Sequence, residues 1–204
     1  MPSVHRLARA ELPEDAVALA RFLLGKLVVR WWREATVSGR IVETEAYLPG
    51  DAASHGFRGR TPRNASLFLP PGYAYVYLAY GTSFMLNVSA GPEGIGAGVL
   101  LRAMEPVDGV ALMQSRRGGV PIRDLLRGPG RLALAFGIDR RLDGIDLCTD
   151  ERLFLASDGA EVGEIAESTR IGITQDADRV LRYFLRGNPF VSGPRWLNGH
   201  LTRA

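Results

Sequence analysis

The chain predicts an α+β fold, a single domain built on a curved, mostly antiparallel β-sheet with short helices at its periphery. Three observations carry this. Strand-like runs separated by turn signals follow one another along most of the sequence, helical periodicity is confined to short stretches, and 46% hydrophobic content across 204 residues suffices for one full core. The domain is expected to span 1–204, with its core at about 12–192 and a loosely packed tail over 193–204.

The elements follow in order. Pro13 at a first helical turn, Glu14 and Asp15 beside it, apolar Val17, Leu19, Ala20, Leu23 and Leu24, and Gly25 at the end specify an amphipathic helix that packs on the sheet. Residues 27–32 and 37–47 read as strands joined by a polar stretch around Arg33 and Glu34. Pro49-Gly50-Asp51 ends the second strand, and the segment from there to Asn64 is too long for a mere connector, which points to function. Pro70-Pro71-Gly72 opens a hairpin whose first strand sets Tyr73, Tyr75 and Tyr77 on one face, with Tyr80-Gly81 at the turn and a return strand over 84–89. A strand over 98–104 bears Arg102, and Val107, Val110 and Ala111 mark a helix over 106–116. Gly128-Pro129-Gly130 precedes a helix over 131–136, and 153–156, 169–173 and 183–186 read as further short strands. In the tail, Trp196 and Leu197 are the residues expected to dock.

No apolar run reaches the length of a membrane span: the longest, 22–32, is broken by Gly25, Lys26 and Arg30. The first residues lack a basic-then-apolar leader, and lone Cys148 has no partner for an internal disulfide, so a cytoplasmic location is expected. Net charge is only +3, yet Lys26 is the sole lysine among 25 basic residues. Arginine's planar fork suits phosphate, although a GC-rich genome produces the same bias. Distribution says more than the total, because Arg58, Arg60 and Arg63 cluster in the long loop and Arg116, Arg117, Arg123, Arg127 and Arg131 form a second group.

The most informative run is Arg40-Ile41-Val42-Glu43-Thr44-Glu45-Ala46-Tyr47. Alternation puts Glu43, Glu45 and Tyr47 on one face of a strand that should otherwise be apolar, and a buried carboxylate must pair, open into a polar cleft or do chemistry. Two carboxylates this close on one strand cannot flank a sugar from opposite sides, so one would activate water alone; spacing does not say which, and an ordinary salt bridge to Arg40 or Arg102 is the alternative. His55 lies in the long loop next to this strand as a hydrogen-bonding or stacking group, while His5 and His200 near the termini are incidental. One cysteine and scattered histidines do not make a metal site. Four tyrosines within eight residues of the hairpin exceed what packing needs, and one at the turn could wedge into a DNA stack while an inward one stacks on an everted base. Gly128 opens a helix N-terminus that could offer N–H groups to a phosphate, with a plain helix start as the alternative. No P-loop, dinucleotide fingerprint or Gly-x-Ser-x-Gly elbow is present.

Taken in order, Gly39 through Tyr47, Thr61-Pro62-Arg63-Asn64, Tyr75-Val76-Tyr77 with Tyr80-Gly81, Val99 through Ala103 with Glu105-Pro106, Gly128-Pro129 and Arg186-Gly187-Asn188-Pro189 resemble the alkyladenine (3-methyladenine) DNA glycosylase family over nearly the whole chain. The resemblance implies a monofunctional enzyme of base excision repair that flips out alkylated purines, 3-methyladenine, 7-methylguanine and, as an open case, hypoxanthine, and hydrolyses the N-glycosidic bond. It implies that Glu45 is the general base, with Arg102 and the backbone near Ile171 holding the water. Tyr47, His55 and Tyr77 would line the base pocket, Asn87 would crowd the amino group of normal guanine, and Tyr80 would fill the gap in the duplex. Arg63 and Gly128 are the further expected DNA contacts. It also implies no metal or organic cofactor, a monomer acting on double-stranded DNA that contains damaged purines, no membrane association, and a place at the nucleoid of a prokaryote.

Two rivals follow from the residues. A bifunctional glycosylase needs a reactive amine, and Lys26 at a helix-to-strand junction and Pro2 at the terminus are poor candidates. A binding module would use the tyrosines and arginines to hold distorted nucleic acid without cutting it.

Overall fold

The structure is a computed structural model and describes residues 4–32 and 35–198. Its strands are β1 (His5–Arg6), β2 (Leu27–Trp32), β3 (Ala35–Tyr47), β4 (Ala74–Ala79), β5 (Ser83–Ser89), β6 (Gly98–Asp108), β7 (Leu153–Ser157), β8 (Ile165–Thr169) and β9 (Val180–Leu185). The helices are α1 (Ala16–Leu23), α2 (Val110–Arg116) and α3 (Pro129–Phe136), with short 3-10 turns between elements. Among the described residues every strand pairing is antiparallel, so the fold is the α+β class expected. Among the described residues no helix is long and apolar enough to cross a membrane.

The sheet runs β1-β7-β2-β3-β6-β5-β4, with β8 joined through β9. Strand β3 organises it. Its first half pairs with β2, its second half (Glu43 to Glu45) pairs on the same edge with β9, and its other edge carries β6 along most of its length. A strand that changes neighbours along one edge must bend, and the register shifts around Glu43 are where it does so.

Helix α1 starts because Asp15 caps it, accepting the N–H of Ala18 at 2.8 Å. Pro13, expected in its first turn, lies ahead of the cap. Leu19, Ala20 and Leu23 on the buried face pack into the core, and Thr44 of β3 donates its hydroxyl to the Ala20 carbonyl at 2.9 Å. Helix α3 buries Leu132, Ala133, Ala135 and Phe136.

Several expectations need correction. Residues 106–108 belong to β6, not to a helix: Pro106 stands opposite Gly39 beside a register shift, where the missing N–H breaks no regular ladder. The helix begins only after Gly109 at φ 69°, where a Cβ would meet the Thr36 carbonyl oxygen at 2.4 Å. The strand expected over 169–173 is β8, over Ile165–Thr169; residues 170–173 leave the sheet because Arg170 turns toward Asp51 and the Ile171 N–H toward Glu45. Strand β9 starts three residues before its expected position and ends at Leu185. Tyr73 precedes β4, and its ring lies under Arg9 at 4.4 Å instead of beside Tyr75 and Tyr77. In the tail Trp196 is 68% exposed, and the residue that docks is Asn198. The joint at Arg33 and Glu34, Pro2 and His200 lie outside the described residues.

Replacing the cap, Asp15→Ala, is expected to lower the unfolding free energy by about 1 kcal/mol in a urea titration. Glu14→Ala, one residue earlier and without a cap bond, should change it by less than about 0.5 kcal/mol.

Candidate active site

Strand β3 delivers Glu43, Glu45 and Tyr47 to a place the local backbone prepares. The pairing with β6 steps from Ile41–Met104 to Glu43–Ala103 and then to Thr44–Leu101, leaving Val42 and Arg102 without opposite partners. Freed from regular pairing, Arg102 reaches both glutamates: its Nε donates to Glu43 Oε1 at 3.0 Å and its Nη1 lies 3.3 Å from Glu45 Oε2. Arg40, the other partner considered for them, binds Asp158 instead.

Both carboxylates have 0% exposure, yet their surroundings differ. Glu43 accepts from Arg102 and Arg182 (Nε, 2.7 Å) on one oxygen and from the Ser192 N–H (2.6 Å) on the other. Burial alone would push its carboxyl up, but Arg182 and Arg102 outweigh that and hold it below the ordinary carboxylate range. Glu45 accepts the Ile171 N–H on Oε1 at 2.7 Å and the Tyr47 hydroxyl on Oε2 at 3.0 Å. Burial dominates here: Arg102 and the Ile171 N–H oppose it, Glu43 adds to it, and the Glu45 carboxyl is raised. Adjacent carboxylates are thus driven apart, one fixed as a counter-ion and one with an enhanced affinity for a proton.

Glu45 does not itself line the cavity of about 520 Å³ at this end of the sheet, but the three groups bonded to its carboxylate (Tyr47, Arg102 and Ile171) all do. His55, Arg63, Tyr75, Tyr77, Tyr80 and Asn87 complete much of the wall. His55 Nδ1 is 2.7 Å from the Tyr75 hydroxyl and its ring centroid 4.3 Å from that of Tyr77. Partial desolvation by the cavity wall and the nearby Arg63 lower the His55 pKa, which favours its neutral imidazole. Burial pushes the Tyr77 hydroxyl up to about 12, and the Tyr47 hydroxyl, pressed further by Glu45, stays protonated as a donor. Asn87 is pinned by its own bond to the Tyr75 carbonyl at 3.1 Å. Tyr80 is 87% exposed at the hairpin turn with φ 51°, a left-handed conformation uncommon for a non-glycine residue.

Gly128 does not share this cavity. It is the N-cap of α3 and opens a neighbouring groove with Arg117 and Arg131; Met85 and Pro129 line both. Arg58, Arg60, Arg63, Arg117, Arg123 and Arg131 have no acidic partner among the described residues, whereas most other arginines do. Arg6, Arg30 and Arg116 also lack one, but Arg58, Arg60 and Arg63 fall together in the long loop and Arg117 and Arg131 in the groove at α3.

Several structural supports escaped the sequence reading. Arg170 lies 4.6 Å from the Tyr47 ring centroid, on a buried pair with Asp51, and so fixes the plane of that wall. Asn64 clasps the long loop, donating to the carbonyls of His55 (2.8 Å) and Gly59 (3.1 Å) and accepting from Thr61. Tyr75 orients His55. Asn64 and Tyr75 carried a signal, their places in the Thr61-Pro62-Arg63-Asn64 and Tyr75-Val76-Tyr77 runs; Asp51 read as a turn residue, and its partner is 119 positions away.

The family model described as Methylpurine-DNA glycosylase (MPG) matches residues 10–189. The chain belongs to this family. A relative from Mesorhizobium japonicum is 65% identical over 94% of this chain and 92% of its own length. One from Paraburkholderia phytofirmans is 53% identical over 94% and 90%, and one from Methanoculleus marisnigri 46% identical over 91% and 98%. All three bear the name "Putative 3-methyladenine DNA glycosylase". As a methylpurine-DNA glycosylase family member the chain is a hydrolase of N-glycosyl bonds in DNA.

Glu43 is the counter-ion of a fully buried Arg182, so Glu43→Ala is expected to lower the unfolding free energy by about 3–5 kcal/mol, read from urea denaturation. Glu164→Ala, which removes an exposed pair with Arg186, should cost under about 1 kcal/mol. Because the folded pKa of Glu43 is depressed, its stabilisation is present above the unfolded value of about 4.3 and is lost as pH falls through the folded value.

Proposed function

We propose that the chain removes alkylated purines, 3-methyladenine and 7-methylguanine foremost, from double-stranded DNA by everting the damaged nucleotide and attacking its C1′ with a water activated by Glu45. The observation that supports this reading is a buried Glu45 carboxylate bonded to Tyr47, Arg102 and Ile171 on the wall of a tyrosine-lined cavity, its carboxyl raised where that of Glu43 is depressed.

In this mechanism the water oxygen bonds to C1′, the C1′–N9 bond breaks with its electron pair passing to the purine, and the water proton goes to Glu45. Arg102 and the backbone at Ile171 hold the water. N-alkylated purines are cationic, so they leave as neutral bases without an acid, and the faces of Tyr47 and Tyr77 attract their charge. The neutral His55 does not repel it, and Arg102 is balanced by two glutamates. Hypoxanthine is neutral and needs a proton donor, which gives it a lower rank in the proposed range. Asn87 crowds the amino group of guanine, Tyr80 enters the duplex where the nucleotide has left, and Arg63 with the α3 N-terminus at Gly128 meets phosphates. The enzyme works as a monomer in the cytoplasm, at the nucleoid. Lys26 sits 5.0 Å from the Phe22 ring and is not on the cavity wall, which supports hydrolysis without a Schiff base.

Glu45→Gln is expected to bind methylated duplex with wild-type affinity while free-base release, followed by chromatography, falls by about 10²–10⁴-fold. Release at the wild-type rate would remove Glu45 from this role, and binding without release by the wild-type protein would favour a binding module. Since only ionised Glu45 accepts the proton, kcat/KM should fall as pH drops through a value above the ordinary glutamate pKa of about 4.3 and level off above it.

Tyr80→Ala should weaken capture of a lesion in duplex DNA more than of the same lesion in a single strand, compared by titration at one salt concentration. Equal losses on both would count against a wedge.

A further inference from the structure

Resting on the reading just given, we infer a second aromatic contact to DNA, outside the lesion cavity, made by Phe57 on the loop that also carries His55 and Arg63. A singly exposed apolar side chain is ordinary on a protein surface. Phe57 differs in what holds it, what flanks it and where it stands.

The ring is 53% exposed on a loop that is firmly built. The Phe57 N–H donates to the Ser54 carbonyl at 3.1 Å and the Gly59 N–H to the Gly56 carbonyl at 3.0 Å. Asn64 ties both ends of the turn, and Gly56 packs so closely that a Cβ would meet the Gly96 oxygen at 2.5 Å. The exposure of the ring is therefore a feature of an ordered turn, and burial against a partner would recover the hydrophobic free energy it forgoes.

Arg58 and Arg60 follow it in the same turn, both exposed and both without an acidic partner among the described residues. An exposed aromatic ring on a turn that also carries two such guanidinium groups suits a nucleic-acid strand, with the ring against a base or deoxyribose and the cations on phosphates. The loop leaves the cavity wall at His55 and rejoins it at Arg63, while Phe57 itself does not line the cavity. Two residues span at most about 7 Å, so Phe57 stands within about two nucleotide steps of the rim. The occupant assigned to it is the DNA flanking the everted nucleotide.

The test measures the Kd for a duplex bearing one alkylated purine by fluorescence anisotropy across a salt series. Phe57→Ala is expected to raise Kd about tenfold with an unchanged slope against log salt, Phe57→Trp to restore affinity, and Arg60→Gln to reduce the slope by about one. Wild-type affinity in Phe57→Ala, or a failure of Phe57→Trp to restore it, would overturn the contact. Base release from methylated DNA by the wild-type protein is followed on the same preparation. Its absence would overturn the glycosylase reading itself, whereas release combined with an indifferent Phe57→Ala would sink the Phe57 contact alone.

Discussion

Two carboxylates sunk at 0% exposure in one strand must be neutralised, and the way Glu43 and Glu45 are neutralised governs much of this molecule. Desolvating an ionised group is expensive unless opposite charge and hydrogen bonds replace water. Arg102 from β6 and Arg182 from β9 supply that charge, so the neighbours on both edges of β3 are tied to it by ion pairs as well as by backbone ladders. With both glutamates ionised the four groups sum to zero. The double irregularity in the β3–β6 pairing is the backbone's accommodation to this cluster, since a regular ladder would leave Arg102 with an opposite partner and a fixed direction.

The cluster is asymmetric, and the asymmetry sets the two carboxyls apart. Glu43 receives two guanidinium groups and a backbone N–H; Glu45 receives one guanidinium, one N–H and a tyrosine hydroxyl. A single missing cation is enough to separate two side chains that stand two residues apart. The residue left less well compensated is the one whose partners Tyr47, Arg102 and Ile171 all line the cavity.

Much of this was legible from local pattern. Alternation identified β2 and β3, the Pro-Pro-Gly and Tyr-Gly punctuation identified the hairpin, and the length of the loop after Pro49 marked it as functional. Identifying which glutamate would differ required knowing Arg182, 139 positions from Glu43, and no spacing rule reaches that far. The bend at 170–173 was misread for the same reason: Ile171 and Ile173 look like strand residues until Asp51 and Glu45 draw Arg170 and the Ile171 N–H away. Pro106 looked like a helix start because the register shift that tolerates it in β6 exists only in the paired strands. Asn198 was overlooked in favour of two larger apolar neighbours, since a polar residue in a tail carries no sign of the buried arginine it serves.

The tie from Arg182 to Ser192 and Asn198 has a bearing on how the protein is made. A chain emerging from the ribosome has β3 and β6 outside the exit tunnel long before the turn at 195–198 follows. Until then the arginine that steadies Glu43 is itself incompletely satisfied. Translation order therefore completes the surroundings of Glu43 only well after β3 and β6 have been made, so the pairing that neutralises this strand is settled by a late, long-range contact and not by its immediate neighbours.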